Sequence, residues 1–434
     1  MSATSGAAGA SVGTPPRLDV DRLLDDPQTR IIVCCGSGGV GKTTTAAALG
    51  VRAAERGRKA VVLTIDPARR LAQSMGIDSL DNTPRQVKGV QGPGGGELHA
   101  MMLDMKRTFD EIVEGHSDPE RAQAILANPF YQSLSAGFAG TQEYMAMEKL
   151  GQLRARDDWD LIIVDTPPSR SALDFLDAPG RLGSFLDGKF IRVLMAPAKV
   201  GGRAGMKFLN VGMSMMTGTL SKLMGASLLK DVQTFVAAMD TMFGGFRTRA
   251  DATFRLLQAP GTAFLVVAAP EPDALREAAY FVERLAAEKM PLAGLVLNRV
   301  HGSGADQLSA ERALAAAENL EEAGIVDQES GKAGLRDPSP AETEDSVETT
   351  EDGVDSDADV DSDADVDEIT AGLLRLHAER MQVIAREQRT RDRFTSLHPE
   401  VAVSEVAALP GDVHDLAGLR AIGERLAAGV PAGA

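Results

Sequence analysis

Short apolar runs recur along this chain, and most are bounded by Gly, Pro or Asp. They are IIVCC at 31–35, KAVVLTID at 59–66, ELHAMMLDM at 97–105, DLIIVDTPP at 160–168, TAFLVVAAP at 262–270, LAGLVLNRV at 292–300 and VAVSEVAALPG at 401–411. Runs of this length and composition are typical of buried strands.

Stretches with helical composition lie between the runs. They cover 43–57, with Gly57 as a C-cap, roughly 106–156, then 272–288, 371–388 and 415–428. Strands that alternate with helices predict an α/β fold with a doubly wound, mostly parallel sheet.

Three stretches depart from this alternation and set the predicted domain boundaries. Residues 1–28 are small and polar and predict a disordered tail. Residues 29–301 form the predicted core, which includes a helical, Met-rich insertion over 178–258. Residues 302–368 become polar and then acidic, which predicts a disordered insertion, and 369–434 complete the same domain.

The net charge of −17 is concentrated in that acidic stretch. Residues 337–368 carry fifteen Asp and Glu and no Lys or Arg, and removing them leaves a net charge of −2. We therefore expect no nucleic-acid partner. The repeat VDSDAD at 354–359 and 360–365 resembles a calcium loop but lacks its glycine and final glutamate, so a solvated linker is the favoured interpretation.

The two cysteines, Cys34 and Cys35, are adjacent in an apolar run, which excludes a disulfide framework and a four-cysteine zinc site. The first thirty residues lack the apolar core of a signal peptide, and no run of about 18 apolar residues predicts a transmembrane segment. These features predict a cytoplasmic protein, with peripheral attachment to a membrane left open.

A glycine-rich segment follows the first strand and matches G-x-x-x-x-G-K-[ST], the phosphate-binding loop of P-loop proteins. Glycines let backbone N–H groups turn toward phosphate oxygens, and the helix that follows adds its positive end. Lys42 is expected to contact the β- and γ-phosphates, and the Thr43 hydroxyl to ligate Mg²⁺. The predicted nucleotide-binding residues here are Gly36, Ser37, Gly38, Gly39, Val40, Gly41, Lys42, Thr43 and Thr44.

Two carboxylates at strand ends are candidates for the chemistry. Asp165 ends the run LIIV, where P-loop folds place an acidic anchor for the metal, and the alternative is an ordinary strand-terminal Asp. Asp66 ends the second run and could orient the attacking water. It could equally cap a helix that begins at Pro67, and spacing alone does not separate these roles.

Together these motifs resemble the ArsA-like branch of the MinD-type P-loop ATPases, which includes the arsenite-pump ATPase subunit and the ATPase that targets tail-anchored membrane proteins. GSGGVGKTTTAAA is similar to the family's deviant phosphate loop, TIDPAR to its first switch and DTPPSRSALDFLDAP to its second switch. VLNRV is similar to its adenine-contacting strand end, and LPGDVHDLAGL to its C-terminal segment.

The resemblance implies a role for each matching residue. Asp66 and Lys42 would be catalytic, with Asp66 positioning the hydrolytic water. Asp165 would sense Mg²⁺ and the γ-phosphate, Asn298 would hydrogen-bond adenine, and the backbone near Pro410 would close over the base. The implied cofactors are ATP and Mg²⁺.

The sequence departs from the family pattern in ways that bear on function. Ser37 stands where the family's loop has a lysine that reaches the partner's nucleotide, and Ser169-Arg170-Ser171 replaces Gly-His-Thr in the second switch. The thiolates of the arsenite pump and the zinc-binding Cys pair of the eukaryotic targeting enzymes are also missing from the sequence. The single phosphate loop implies a homodimer, or a heterodimer whose second subunit supplies the lysine.

The Met-rich insertion supports two interpretations. Five of its apolar side chains share one helical face, and they are Phe235, Met239, Met242, Phe243 and Phe246. Such a face is more often internal packing, but flexible Met side chains also suit a groove for an apolar client. The leading functional prediction is an ATPase whose dimer cycle acts on an apolar or membrane-linked client. The alternatives are a nucleotide-binding regulatory subunit with little hydrolysis, or the ATPase subunit of a pump for an anion other than arsenite.

Overall fold

The fold is described from a computed structural model, which covers residues 15–65, 70–77, 79–135, 141–167, 248–330 and 358–429 of the 434-residue chain. Asp66, the Ser169–Ser171 segment and the five apolar residues of the predicted Met-rich face lie outside the described residues. The described chain divides into two compact units. One runs up to Arg299 and resumes at Arg393, and the other spans the residues between Val300 and Asp392.

An eight-stranded sheet forms the centre of the first unit, in the order β3-β4-β2-β5-β1-β6-β7-β8. Its strands are β1 (Ile31–Cys35), β2 (Lys59–Thr64), β3 (Arg85–Gln91), β4 (Glu97–Met102), β5 (Leu161–Asp165), β6 (Thr262–Ala268), β7 (Leu292–Val300) and β8 (Val403–Ala407). The pairs from β4 through β7 are parallel, and β3 runs antiparallel to β4 at the edge. The predicted α/β class with a mostly parallel sheet is confirmed.

Strand β3 was not predicted, because its sequence carries a weak signal. Only Val87 and Val90 are buried in it, three residues apart instead of two, and Gly89 between them has a φ of +80°. The pairing register with β4 also shifts between Gln86 and Gln91. This irregular edge strand therefore lacks the alternation by which half-buried strands are recognised.

Helices precede, connect and follow the strands along the chain. They are α1 (Val20–Asp25), α2 (Lys42–Glu55), α3 (Arg70–Ser74), α4 (Met105–His116), α5 (Pro119–Leu126), α6 (Pro129–Ser135), α7 (Thr141–Arg156), α8 (248–258), α9 (Pro272–Ala287), α10 (Ala310–Ser330), α11 (Ala358–Leu397) and α12 (Leu416–Ala428). A short 3₁₀ turn spans Pro93–Gly95. The predicted helical stretch over 106–156 contains four helices, and Asp118 caps the second of them by accepting a hydrogen bond from the backbone of Arg121.

The strand registers bring three carboxyl ends together. Asp165 at the end of β5 is level with Cys34 of β1 on one side and with Thr64 of β2 on the other. Parallel sheets bind ligands at this edge, where the loops leave the strands. The phosphate-loop sequence follows β1 directly, so the sheet places it next to Asp165.

The prediction of a disordered tail over 1–28 is wrong for its described part. Residues 20–25 form α1, in which Val20 and Leu24 are buried, and Asp19 caps the helix by accepting from the backbone of Arg22. Arg52 on α2 makes a two-pronged hydrogen bond to the carboxylate of Asp21. The apolar spacing in α1 spans too few residues to stand out against the polar composition around it.

The prediction of a disordered insertion over 302–368 is also wrong for its described residues. Helix α10 occupies 310–330, and α11 begins at Ala358 near the end of the first acidic repeat and includes the second. Residues 369–392 belong with α10 to the second unit, and not to the sheet unit as predicted. Acidic residues in the first turn of a helix are favoured by its positive end, so an acidic sequence that composition alone assigns to a linker is compatible with the start of α11.

Arg58, just before β2, holds the segment that precedes β1 through hydrogen bonds to backbone carbonyls. Its guanidinium donates to the backbone carbonyls of Leu24, Asp26, Thr29 and Asp160, at 2.6 to 3.0 Å. Arg58→Met keeps the apolar stem and removes all four donors. We expect it to lower the free energy of unfolding by about 1–3 kcal/mol, because carbonyls lose their donors in partly buried positions. Urea unfolding followed by circular dichroism measures this change.

Arg85→Met is the matched control, since Arg85 pairs with Asp81 at an exposed site. An exposed ion pair contributes little to stability, so this variant should unfold close to the parent. If the two variants lose equal stability, the carbonyl contacts of Arg58 do not have the role assigned to them.

Candidate nucleotide-binding site

The loop from Gly36 to Gly41 leaves β1 and enters α2 under tight constraints at both ends. Gly36 has a φ of +146°, and a Cβ there would lie 2.0 Å from the carbonyl oxygen of Val267 on β6. Gly41 has a φ of +95° and precedes the first turn of α2, and a Cβ there would lie 2.3 Å from the Asn298 amide nitrogen. Both positions therefore require glycine, as the phosphate-loop motif predicts.

Lys42 lies back across its own loop. Its side chain is buried, and its Nζ donates to the carbonyl oxygen of Ser37 at 2.7 Å. The contact holds a positive charge against the loop backbone at the start of a helix. A helix N-terminus and an ammonium group side by side form an environment that attracts phosphate.

A buried carboxylate lies beside the loop and accepts hydrogen bonds from two threonines. Asp165 is fully buried, and its Oδ2 accepts from Thr43 Oγ1 at 2.7 Å and from Thr64 Oγ1 at 2.9 Å. The next residue, Thr166, donates its hydroxyl to the Cys34 carbonyl at 2.8 Å and so fixes the chain after β5 to β1. Hydroxyl and carboxylate oxygens are the ligand types that Mg²⁺ prefers, so this pair fits a metal site next to a bound triphosphate.

Asn298, on a strand two places from β1 in the sheet, contacts the phosphate loop. It lies near the end of β7, is 8% exposed, and donates from Nδ2 to the carbonyl oxygen of Val40 at 2.8 Å. The residue after it, Arg299, has a φ of +63°. The resemblance implies an adenine contact for Asn298, and the structure shows in addition a direct contact with the phosphate loop that no local pattern predicts.

The structure brings most of the predicted site residues together and leaves others apart. Residues 36–44, Asp165 and Asn298 form one contiguous group, in which Gly38 and Gly39 are exposed and Ser37 and Thr44 are half-buried. Pro410 is exposed in the segment after β8. Asp66 lies outside the described residues, but Ile65 immediately before it donates its backbone N–H to the Asp165 carbonyl at 3.1 Å.

The adjacent cysteines lie under the loop and are enclosed. Cys34 and Cys35 are both buried free thiols. Burial raises the pKa of both thiols, and the nearby Asp165 raises that of Cys34 further. A buried thiol with a raised pKa is a poor nucleophile and a poor metal ligand, so these residues contribute packing.

None of the helices in the described ranges is both long enough and apolar enough to cross a membrane.

Comparison with known proteins shows the family of this chain. Residues 29–323 match the family model of the anion-transporting ATPases. The ATPase GET3 of Malassezia globosa is 30% identical over 168 residues, or 39% of this chain and 47% of that protein, so the chain spans about half of its length in the match. The ATPase GET3 of Podospora anserina is 25% identical over 299 residues, which cover 67% of this chain and 80% of the relative. The ATPase ASNA1 homolog 2 of Paramecium tetraurelia is 24% identical over 286 residues, covering 64% and 78%.

The matched region includes β1 through β7 and with them the phosphate loop, Asp165 and Asn298. It also extends into α10. The family model covers more than half of the chain, and the ArsA-like resemblance of the sequence motifs is confirmed. The chain is therefore an ATPase that belongs to the anion-transporting ATPase family.

Proposed function

We propose that this ATPase hydrolyses Mg²⁺-bound ATP on the loop 36–43 and couples each turnover to the conformational cycle of a dimer. The cycle acts on an apolar or membrane-linked client at the cytoplasmic face of a membrane. The observation that carries the proposal is the buried Asp165 carboxylate, which shares Oδ2 between Thr43 and Thr64 directly beside the glycine loop.

A bound phosphate would replace the Ser37 carbonyl as the hydrogen-bond acceptor for Lys42. Lys42 Nζ donates to the Ser37 carbonyl at 2.7 Å, and a β- or γ-phosphate oxygen is a stronger acceptor for a charged donor. The lysine therefore lies within reach of the place where the motif puts the triphosphate. Its charge would offset the negative charge that builds up on the phosphoryl group during transfer.

Mg²⁺ would be held by Thr43 directly and by Asp165 through water. When bound, the ion would supply positive charge that offsets the charge on the β- and γ-phosphates. Asp165 is enclosed and already oriented by two hydroxyl donors, so its carboxylate needs little rearrangement to serve the metal. Preorganised groups of this kind contribute most to the stabilisation of a transition state.

The adenine ring would lie near the end of β7. Asn298 uses its amide N–H to hold the Val40 carbonyl, which leaves its amide oxygen as the group suited to accept from the adenine 6-amino group. Pro410 follows β8, the neighbour of β7 in the sheet, and we propose that its backbone closes over the base. Asp66 would position the hydrolytic water, a role supported by the anchoring of Ile65 to Asp165.

Ser37 points to slow turnover by the chain alone. A neutral serine cannot supply the cation that the resemblance expects at this position from the opposite subunit, and a trans cation contributes several orders of magnitude to phosphoryl transfer. We therefore propose either a heterodimer with a lysine-bearing subunit or a homodimer with regulated turnover. A nucleotide-binding regulatory subunit is the second candidate, because a missing lysine favours it.

The predicted effect of Asp165→Asn is a raised magnesium requirement. The amide keeps the size of the side chain and removes the charge that would favour the hydrated ion. We expect the ATPase rate to fall about 10²-fold or more at low magnesium, while nucleotide binding in EDTA stays within about threefold of the parent because the loop is intact. Steady-state hydrolysis across a magnesium titration measures the first effect, and fluorescent-nucleotide binding measures the second.

Asp160→Asn provides the control, since Asp160 precedes the same strand at its opposite end and accepts from the Lys59 backbone. Its magnesium dependence should match the parent. An unchanged magnesium dependence in Asp165→Asn would remove Asp165 from the metal site.

Asn298→Ala separates base recognition from support of the loop. If the amide oxygen binds adenine, calorimetry should show weaker ATP binding, by about tenfold for the loss of one hydrogen bond in a buried setting. Binding of inorganic tripolyphosphate, which has no base, should change less. Equal losses for both ligands would limit Asn298 to holding Val40.

The trans cation is tested by mixing two chains. Ser37→Lys/Lys42→Ala carries the missing lysine but has lost the lysine of its own site, so it should not hydrolyse ATP. Mixed with the parent chain, it should raise the rate per parent site by at least about tenfold, because the lysine enters across the dimer. Ser37→Ala/Lys42→Ala is the matched control and should give no increase. No acceleration by the lysine-bearing chain would contradict the dimer geometry proposed here.

A further inference from the structure

A row of apolar side chains lies exposed along α11, within the second unit. Its members recur at intervals of three, four, three and seven residues, which is the heptad spacing of paired helices. They are Val366, Ile369, Leu373, Leu376 and Val383, with exposed fractions of 58, 64, 62, 64 and 40%. The row spans about 25 Å of helix at 1.5 Å per residue. We call these five residues the outer row.

The outer row lies opposite the face by which α11 is already packed. Ala371 and Ala378 are buried on that face, and in the same unit Ala313 and Ala317 of α10 are buried as well. Successive residues turn by about 100°, so Leu373 and Leu376 are displaced by well over 90° from Ala371. Ordinary packing of the two helices therefore does not account for the outer row.

Charge changes sign along the same helix. Residues 359–368 contain six acidic residues and no Lys or Arg. Residues 375–393 contain six arginines against three acidic residues. Side by side in the same direction, two such helices would place like charges together. In opposite directions they would place the acidic part of each beside the arginine-rich part of the other.

We propose that the outer row is an interface for a second copy of this chain, with the two α11 helices antiparallel around a twofold axis between Leu373 and Leu376. Leu373 of each copy then lies opposite Leu376 of the other, and Val366 lies opposite Val383. This arrangement is self-complementary, as a twofold interface requires. It concerns residues 366–383 and does not rest on the function proposed for the nucleotide site.

The charged positions that flank the outer row agree with this register. Asp365 and Arg386 are both exposed, and each occupies a heptad position that flanks the row. The antiparallel register brings Asp365 of one copy near Arg386 of the other, twice by symmetry. Arg380 falls within the row opposite Ile369, but its Nε donates to the Gly302 carbonyl at 2.7 Å, which satisfies the charged end and leaves the apolar stem to pack.

Cross-linking between single-cysteine variants tests both the interface and its direction. Val366→Cys and Val383→Cys are each prepared with a different affinity tag, alone and by co-expression, and treated with a short bis-maleimide. The native Cys34 and Cys35 are buried, so the parent chain should give little background. We expect a covalent dimer that carries both tags from the co-expressed pair only, since identical cysteines would be about 25 Å apart.

A cross-link in Val366→Cys alone would show parallel pairing and overturn the proposal, and so would the absence of a cross-link in the co-expressed pair. Leu373→Glu/Leu376→Glu, added to both chains, should reduce the mixed dimer at least fivefold. Gln382→Glu is the control, because Gln382 is exposed on α11 outside the outer row. Circular dichroism confirms that each variant retains its helix content. A cross-link that survives the double glutamate substitution would also overturn the proposal.

Discussion

One buried carboxylate holds the nucleotide site together. Asp165 ends the central strand between β1 and β2, is fully enclosed, and accepts hydrogen bonds from Thr43 at the start of α2 and from Thr64 at the end of β2. Burial of a charged group is costly without donors, so these hydroxyls and the backbone around them make the position tenable. Thr43 of the phosphate loop, and Thr64 and Ile65 just before Asp66, all donate hydrogen bonds to Asp165.

The second constraint is steric and acts on the loop itself. The backbone at Gly36 is pressed against Val267, and Gly41 is pressed against Asn298, which also holds the Val40 carbonyl. The loop is therefore fixed from β6 and β7 as well as from β1. A loop held by three strands before ATP arrives needs little reorganisation to receive phosphate, which is the condition for effective electrostatic stabilisation. Ser37 is half-buried in this otherwise fixed loop, and its neutral hydroxyl brings no positive charge to the site.

The fold could be predicted from the sequence where strands are buried on both faces. Each of the seven predicted runs contains one of the observed strands, and β1, β5 and β6 are buried along their whole length. The site residues could be predicted from the sequence where the chemistry requires a particular residue type, as at Gly41, Lys42 and Thr43. Prediction fails where stability comes from partners distant in sequence. Helix α1 is held by Asp21 against Arg52. The contact of Asn298 with Val40 joins residues 258 positions apart, and no local pattern encodes it.

The most direct test of the central claim is a structure of the chain with ADP, Mg²⁺ and a fluoride mimic of the transferred phosphoryl group. The account predicts that Lys42 Nζ leaves the Ser37 carbonyl for the phosphate side and that the metal lies on Thr43 with Asp165 behind it. It also predicts the adenine ring against Asn298. A nucleotide bound elsewhere, or Lys42 still held by Ser37 beside a bound phosphoryl mimic, would contradict it.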